Sequence, residues 1–185
     1  MLTNGRQWIV AATPLLLIAT GCVGLDCKTK DLPIGVPMQA AAYWKTYVLF
    51  GADPAHDGAK CPALAGRVVL YSQAGTPVVA PGKMQVRLFS DMPGEKKSDT
   101  PLEVWELDAD TLKGKLQRDV VGWGYSLILP WGTYNPELTH VRLTVRFEPA
   151  TGGMPLFAQE SRLTLHGDGP PKVMSSSTEP VTPRS

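Results

Sequence analysis

Few side chains here are suited to covalent or acid–base chemistry. The chain has three cysteines, Cys22, Cys27 and Cys61, and three histidines, His56, His140 and His166. The histidines are far apart, and no H-E-x-x-H or Cys–His ligand spacing accompanies them. No G-x-S-x-G elbow, phosphate-binding loop or dinucleotide fingerprint is present. Asp53-Pro54-Ala55-His56-Asp57 is the one compact group that could hold a cation or move a proton, and a hydrolase would have to use it. Asp and Pro are also common turn residues, so a turn is the simpler expectation. Glu103 and Glu106 can be read as a carboxylate pair, although a solvated strand face accounts for both. The expectation is a non-enzymatic protein without cofactor or metal.

Cys22 has the most distinctive surroundings. Met1 to Gln7 is short and polar with one cation, Arg6, and Trp8 to Thr20 is a mostly apolar run of thirteen residues broken by Pro14. A membrane-spanning helix needs about 20 apolar residues, so this run is too short to span. It has the zones of a secretory signal instead. Leu15-Leu16-Leu17-Ile18-Ala19-Thr20-Gly21-Cys22 resembles the lipobox of bacterial lipoproteins. That resemblance implies cleavage before Cys22, a diacylglycerol on its thiol and an acyl group on the new amine. The family prefers Leu three residues before the cysteine, where this chain has Ala19; Gly21 and the upstream leucines match. An Asp after the cysteine tends to retain such proteins at the inner membrane. Val23 stands there, which favours the outer membrane; the resemblance itself implies the outer side of a bacterial membrane, either a periplasmic face or the outer membrane. Each buried methylene contributes about 0.8 kcal/mol and one acyl chain binds only marginally, so two or three chains make the attachment lasting.

Removing residues 1–21 leaves 17 basic and 17 acidic residues, a net charge of zero. A neutral chain gives no reason to expect a nucleic-acid partner. With Cys22 acylated, Cys27 and Cys61 remain as a candidate disulfide outside the cytoplasm. Such a bridge would contribute about 3–4 kcal/mol through loop closure. Two free thiols are the alternative.

Eighteen glycines and seventeen prolines suit short strands joined by turns. Residues 22–42 read as a tether broken by Pro33, Gly35 and Pro37, and residues 43–167 as one domain. Tyr43–Phe50, Val68–Tyr71, Pro77–Val79, Met84–Leu88, Leu102–Leu107, Tyr125–Leu129, Val141–Phe147 and the return to Leu165 read as strand segments. Alternation is clearest where Val141, Leu143, Val145 and Phe147 interleave with Arg142, Thr144 and Arg146. Asp110 is placed to cap a short helix from Thr111 to Arg118, with Leu112 and Leu116 on its apolar side. The fold expected is all-β, an antiparallel sandwich of about seven strands with one short helix. The frame Gly66-x-Val68, Gly75-x-Pro77-Val78, Val86-x-Leu88 resembles transthyretin-like and carboxypeptidase-regulatory-like sandwich domains. The tail 168–185 has four prolines and six Ser/Thr residues and should be disordered.

Two surface features complete the reading. Trp123, Tyr125, Trp131 and Tyr134 lie within twelve residues among Gly122, Gly124 and Gly132. Trp123, Trp131 and Tyr134 can be read as a platform for sugar rings, or the rings can fill the sandwich ends, each burying about 150–250 Å². The outward Arg87, Arg142, Arg146 and Arg162 form a basic face if their strands are neighbours, with an ordinary solvated sheet surface as the simpler expectation. The function expected is a lipid-anchored cell-envelope module, non-catalytic, that binds or supports an envelope protein or polysaccharide. Carbohydrate binding through 123–134 is the second reading and a small hydrolase the third.

Overall fold

The structure, a computed structural model, describes residues 32–53 and 58–166. The candidate tail, Cys22, Cys27, His56 and most of the Asp53–Asp57 group lie outside these residues. Two antiparallel sheets face each other, as the alternation predicts. One contains β1 (Gln39–Trp44), β2 (Leu49–Asp53), β3 (Ala59–Tyr71), β4 (Pro77–Val78), β7 (Leu116–Arg118) and β8 (Trp123–Pro130). The other contains β5 (Gly82–Ser90), β6 (Glu103–Leu107), β9 (His140–Pro149), β10 (Leu156–Phe157) and β11 (Ser161–Thr164). Among the described residues there are thus eleven strands, more than the seven expected. The long β3 explains part of the excess, because β2 and β1 pair with successive parts of it. Among the described residues, no helix is long and apolar enough to cross a membrane.

The core follows the period of two. Leu64, Val68 and Leu70 from β3 and Leu127 and Leu129 from β8 face Val86, Leu88, Val141, Leu143, Val145 and Phe147 from the other sheet. All of these are buried, and each removes most of an aliphatic or aromatic side chain from water, at about 25 cal/mol per Å². Gly66 is required by packing: a Cβ there would run into the Trp44 ring. Along one side the sheets meet through a parallel bridge between Ala40 and Ala158. Along the other, Trp105 Nε1 donates to Pro130 O at 2.6 Å.

Two boundaries differ from the sequence reading. The first strand begins at Gln39, inside the stretch read as a tether. The helix α1 spans Ala109–Gly114, not 111–118, and its N-cap is Asp108, whose carboxylate accepts from Thr111 N at 2.8 Å. Leu112 faces the core in either frame. Leu116–Arg118, however, finds backbone partners in β8, and that ladder ends the helix.

Register defines two ends of the sandwich. At the near end lie residues 32–38, the turn after β3, the link from β4 to β5, α1, the β7–β8 turn and the loop after β9. Pairing of Gly82 with Pro149 and the bond from Ala150 N to Pro81 O place the two sheets' loops together there. At the far end lie the loops 91–101 and 131–139, where Leu165 N donates to Thr139 O.

Candidate functional site

The aromatic segment does not assemble one platform. Trp123 begins β8 and Trp131 follows its last residue. A strand of eight residues at about 3.3 Å each spans roughly 26 Å, so the two indoles sit at opposite ends of the sandwich. Trp131 is fully enclosed, with 0% exposure. It meets Tyr134 edge-on, with centroids 5.1 Å apart and planes at 73°, and Tyr134 meets Phe50 in the same way. Coplanar exposed rings are therefore not what Trp131 and Tyr134 provide. They fill the far corner, where Trp131 Nε1 donates to Thr133 Oγ1 at 3.0 Å. Tyr125 is also internal: its ring stacks near Phe147 and its hydroxyl donates to Ala80 O at 2.8 Å. Burial raises the Tyr125 pKa.

The arginines do share a face, since β5, β9 and β11 are neighbours. It is not a free basic face. Arg146 pairs with Glu148, and Arg162 lies 3.4 Å from Glu160 and 3.7 Å from Asp91. Arg142, expected as a solvated outward residue, is 5% exposed. The loop 91–100 folds over it. Its guanidinium stands 4.1 Å above the Phe89 ring, donates to Ser98 O at 2.8 Å and pairs with Glu160 at 3.1 Å. Burial alone would raise the Glu160 pKa, but Arg142 and then Lys97 outweigh it and hold the carboxyl below the usual range. Beside this face a groove of about 480 Å³ is lined by both signs of charge, including Lys83, Arg146, Glu106 and Glu148.

The remaining candidates do not converge. Glu103 accepts from Thr133 N at 3.1 Å, while Glu106 accepts from Gln85 Nε2 at 2.9 Å on the opposite face of β6. Three residues apart on a strand, they cannot act as a pair. His140 Nδ1 is 3.0 Å from Thr139 Oγ1. His166 is held through its backbone N to Thr46 O. Cys61 is half-buried on β3, its thiol 3.5 Å from Pro62 O.

One arrangement went unread in the sequence. The backbones of Asp119 and Gly122 exchange both hydrogen bonds, at 3.0 and 3.1 Å, so Val120 and Val121 form a two-residue loop. Gly122 has φ +123°, a conformation that glycine alone adopts easily. Asp119 Oδ1 accepts from Val121 N and Gly122 N. Arg67, reaching across from β3, donates to Gln117 O at 3.0 Å and Gly122 O at 2.7 Å and pairs with Asp119 at 3.2 Å. A polar clamp thus fixes a turn whose tip is two exposed valines. Asp119-x-x-Gly122 was the available signal for the turn, but nothing local pointed to Arg67. Compared with protein-family models and with curated proteins, the chain matches none.

Proposed function

We propose that this protein is a lipid-anchored lipoprotein of the bacterial cell envelope whose sandwich acts as a non-catalytic binding or structural module. The observation that carries the reading is the run Leu15–Gly21 ending at Cys22. A short apolar stretch with small residues before a cysteine suits signal processing and thiol acylation, and it is too short for a span. The first described residue, Leu32, is ten positions after Cys22. A sandwich whose first strand begins at Gln39, seventeen positions after the acceptor, would be held near the membrane surface, which suits a module that meets its partner there.

The test is incorporation of radiolabelled palmitate into the full chain and into Cys22→Ala. Label is expected in the first and absent from the second, with the variant released from the membrane fraction. Label retained by Cys22→Ala overturns the reading. Crosslinking in intact envelopes followed by affinity recovery examines the module role, and a protein recovered alone counts against it.

A further inference from the structure

We propose that the near end of the sandwich is a membrane-contacting surface, resting at the headgroup–acyl boundary of the bilayer that holds the Cys22 lipid. The inference rests on the lipoprotein reading and adds an orientation to it. Val120 is fully exposed, and Met154, Ile34 and Val36 are 84%, 78% and 74% exposed. Met38 and Val121 are also exposed. All six lie at the near end. At the far end, among the described residues, only Phe50 and Leu102 are large, apolar and exposed, and both only marginally. The other exposed apolar residues, Tyr43, Val104, Ile128 and Phe157, are on strands.

Several of the near-end groups are contiguous. Pro33 O accepts from Val79 N, and Gly35 N donates to Val79 O, which lays residues 33–35 along the end of β4. Pro77 of β4 packs on Gly122. Pro33, Pro77, Val121 and Trp123 then line one shallow depression with Arg118. Contiguous exposed apolar surface on a soluble domain marks an interaction site.

Turn chemistry points the same way. Two-residue loops favour Gly, Asn and Asp, whose small or polar side chains tolerate both the backbone and the water. Two β-branched apolar residues at the tip serve neither need. The Arg67–Asp119 clamp keeps them projecting outward, so they cannot fold back onto the sheet. Trp123 and Arg118 flank the tip, and aromatic and basic side chains of this kind favour the membrane–water interface.

The tether selects a bilayer over another protein as the occupant. Residues 22–32 can extend about 33–36 Å at most, and the described chain begins at this same end. A lipid on Cys22 would therefore keep the near end within reach of the surface.

Benzoylphenylalanine introduced at position 120 or 154 of the full chain, with position 96 on the far loop as control, tests this in intact bacterial envelopes. Photoactivation is expected to give phospholipid adducts at 120 and 154 and none at 96. Protein adducts from 120 in place of lipid would assign the rim to a second copy or an envelope protein and overturn the proposal. The mass of the N-terminal peptide from the same sample reports acylation. Acylated Cys22 without lipid adducts overturns the rim and leaves the anchor standing. Lipid adducts with unmodified Cys22 do the reverse, and loss of both overturns both.

Discussion

The two ends of the sandwich are built from different chemistry. At the far end, loops 91–101 and 131–139 are tied down by charge and by a buried aromatic corner: Arg142 on Phe89 and Glu160, and Trp131 against Tyr134. At the near end, polar groups hold the backbone while apolar side chains are left in solvent, as Arg67 and Asp119 do for Val120 and Val121. One end has turned its large side chains inward; the other has turned several outward. Apolar exposure that is spread evenly needs no explanation. The four most exposed large apolar side chains among the described residues, Val120, Met154, Ile34 and Val36, all lie at one end, and that concentration does need one.

Four perturbations sharpen this contrast. Trp131→Ala removes the largest fully buried side chain among the described residues and should cost about 3–5 kcal/mol, read as a lower midpoint in urea. A loss under 1 kcal/mol would mean that the corner is not integral to the core. Arg142→Ala strips the far loop of its anchor and leaves Glu160 with less compensation. Because Glu160 is partly exposed, the expected cost is about 2–3 kcal/mol, below that of a fully buried pair. Faster amide exchange should appear in 91–100 and not in 119–123.

Arg67→Ala should give the mirror image. It removes hydrogen bonds to two carbonyls and the Ser126 hydroxyl and the ion pair with Asp119, costs about 1–2 kcal/mol, and should speed exchange in 119–123 while 91–100 is unchanged. If both loops loosen together, the two ends are one cooperative unit and the contrast fails. The smallest effect is that of acid. The Glu160 pKa is held below its ordinary value by Arg142 and Lys97 against the opposing effect of burial. A depressed carboxylate contributes stability that is complete above its unfolded value and lost as pH falls through its folded one. Protection of 91–100, with the intrinsic pH dependence of amide exchange divided out, should therefore fall with acidification through that interval, and the fall should be absent in Glu160→Gln.

Much of the strand pattern was legible because alternation is local. Met84, Val86 and Leu88, and Val141 through Phe147, face the core as their spacing requires. The helix was legible as an element but not in its bounds, since Leu116–Arg118 is claimed by a ladder with β8 that local propensity cannot anticipate. Arg142 read as solvated because its position on the strand is outward. Its burial comes from a loop some forty residues away, whose Ser98 O it binds. Trp123 and Trp131 read as one site because they are close in sequence, whereas an extended strand places residues eight apart at opposite ends of a sheet.

From the sequence alone came an all-β sandwich, the faces of β5 and β9, and the expectation behind the proposal that Cys22 is acylated. Each rests on short-range information: the period of two, turn residues, and an apolar run of limited length. Only the tertiary structure decided which outward side chains are covered, which aromatics are internal, and that Ile34, Val36, Val120 and Met154 lie at one end. Those outcomes depend on strand order and on loops crossing between distant segments, which no local pattern encodes.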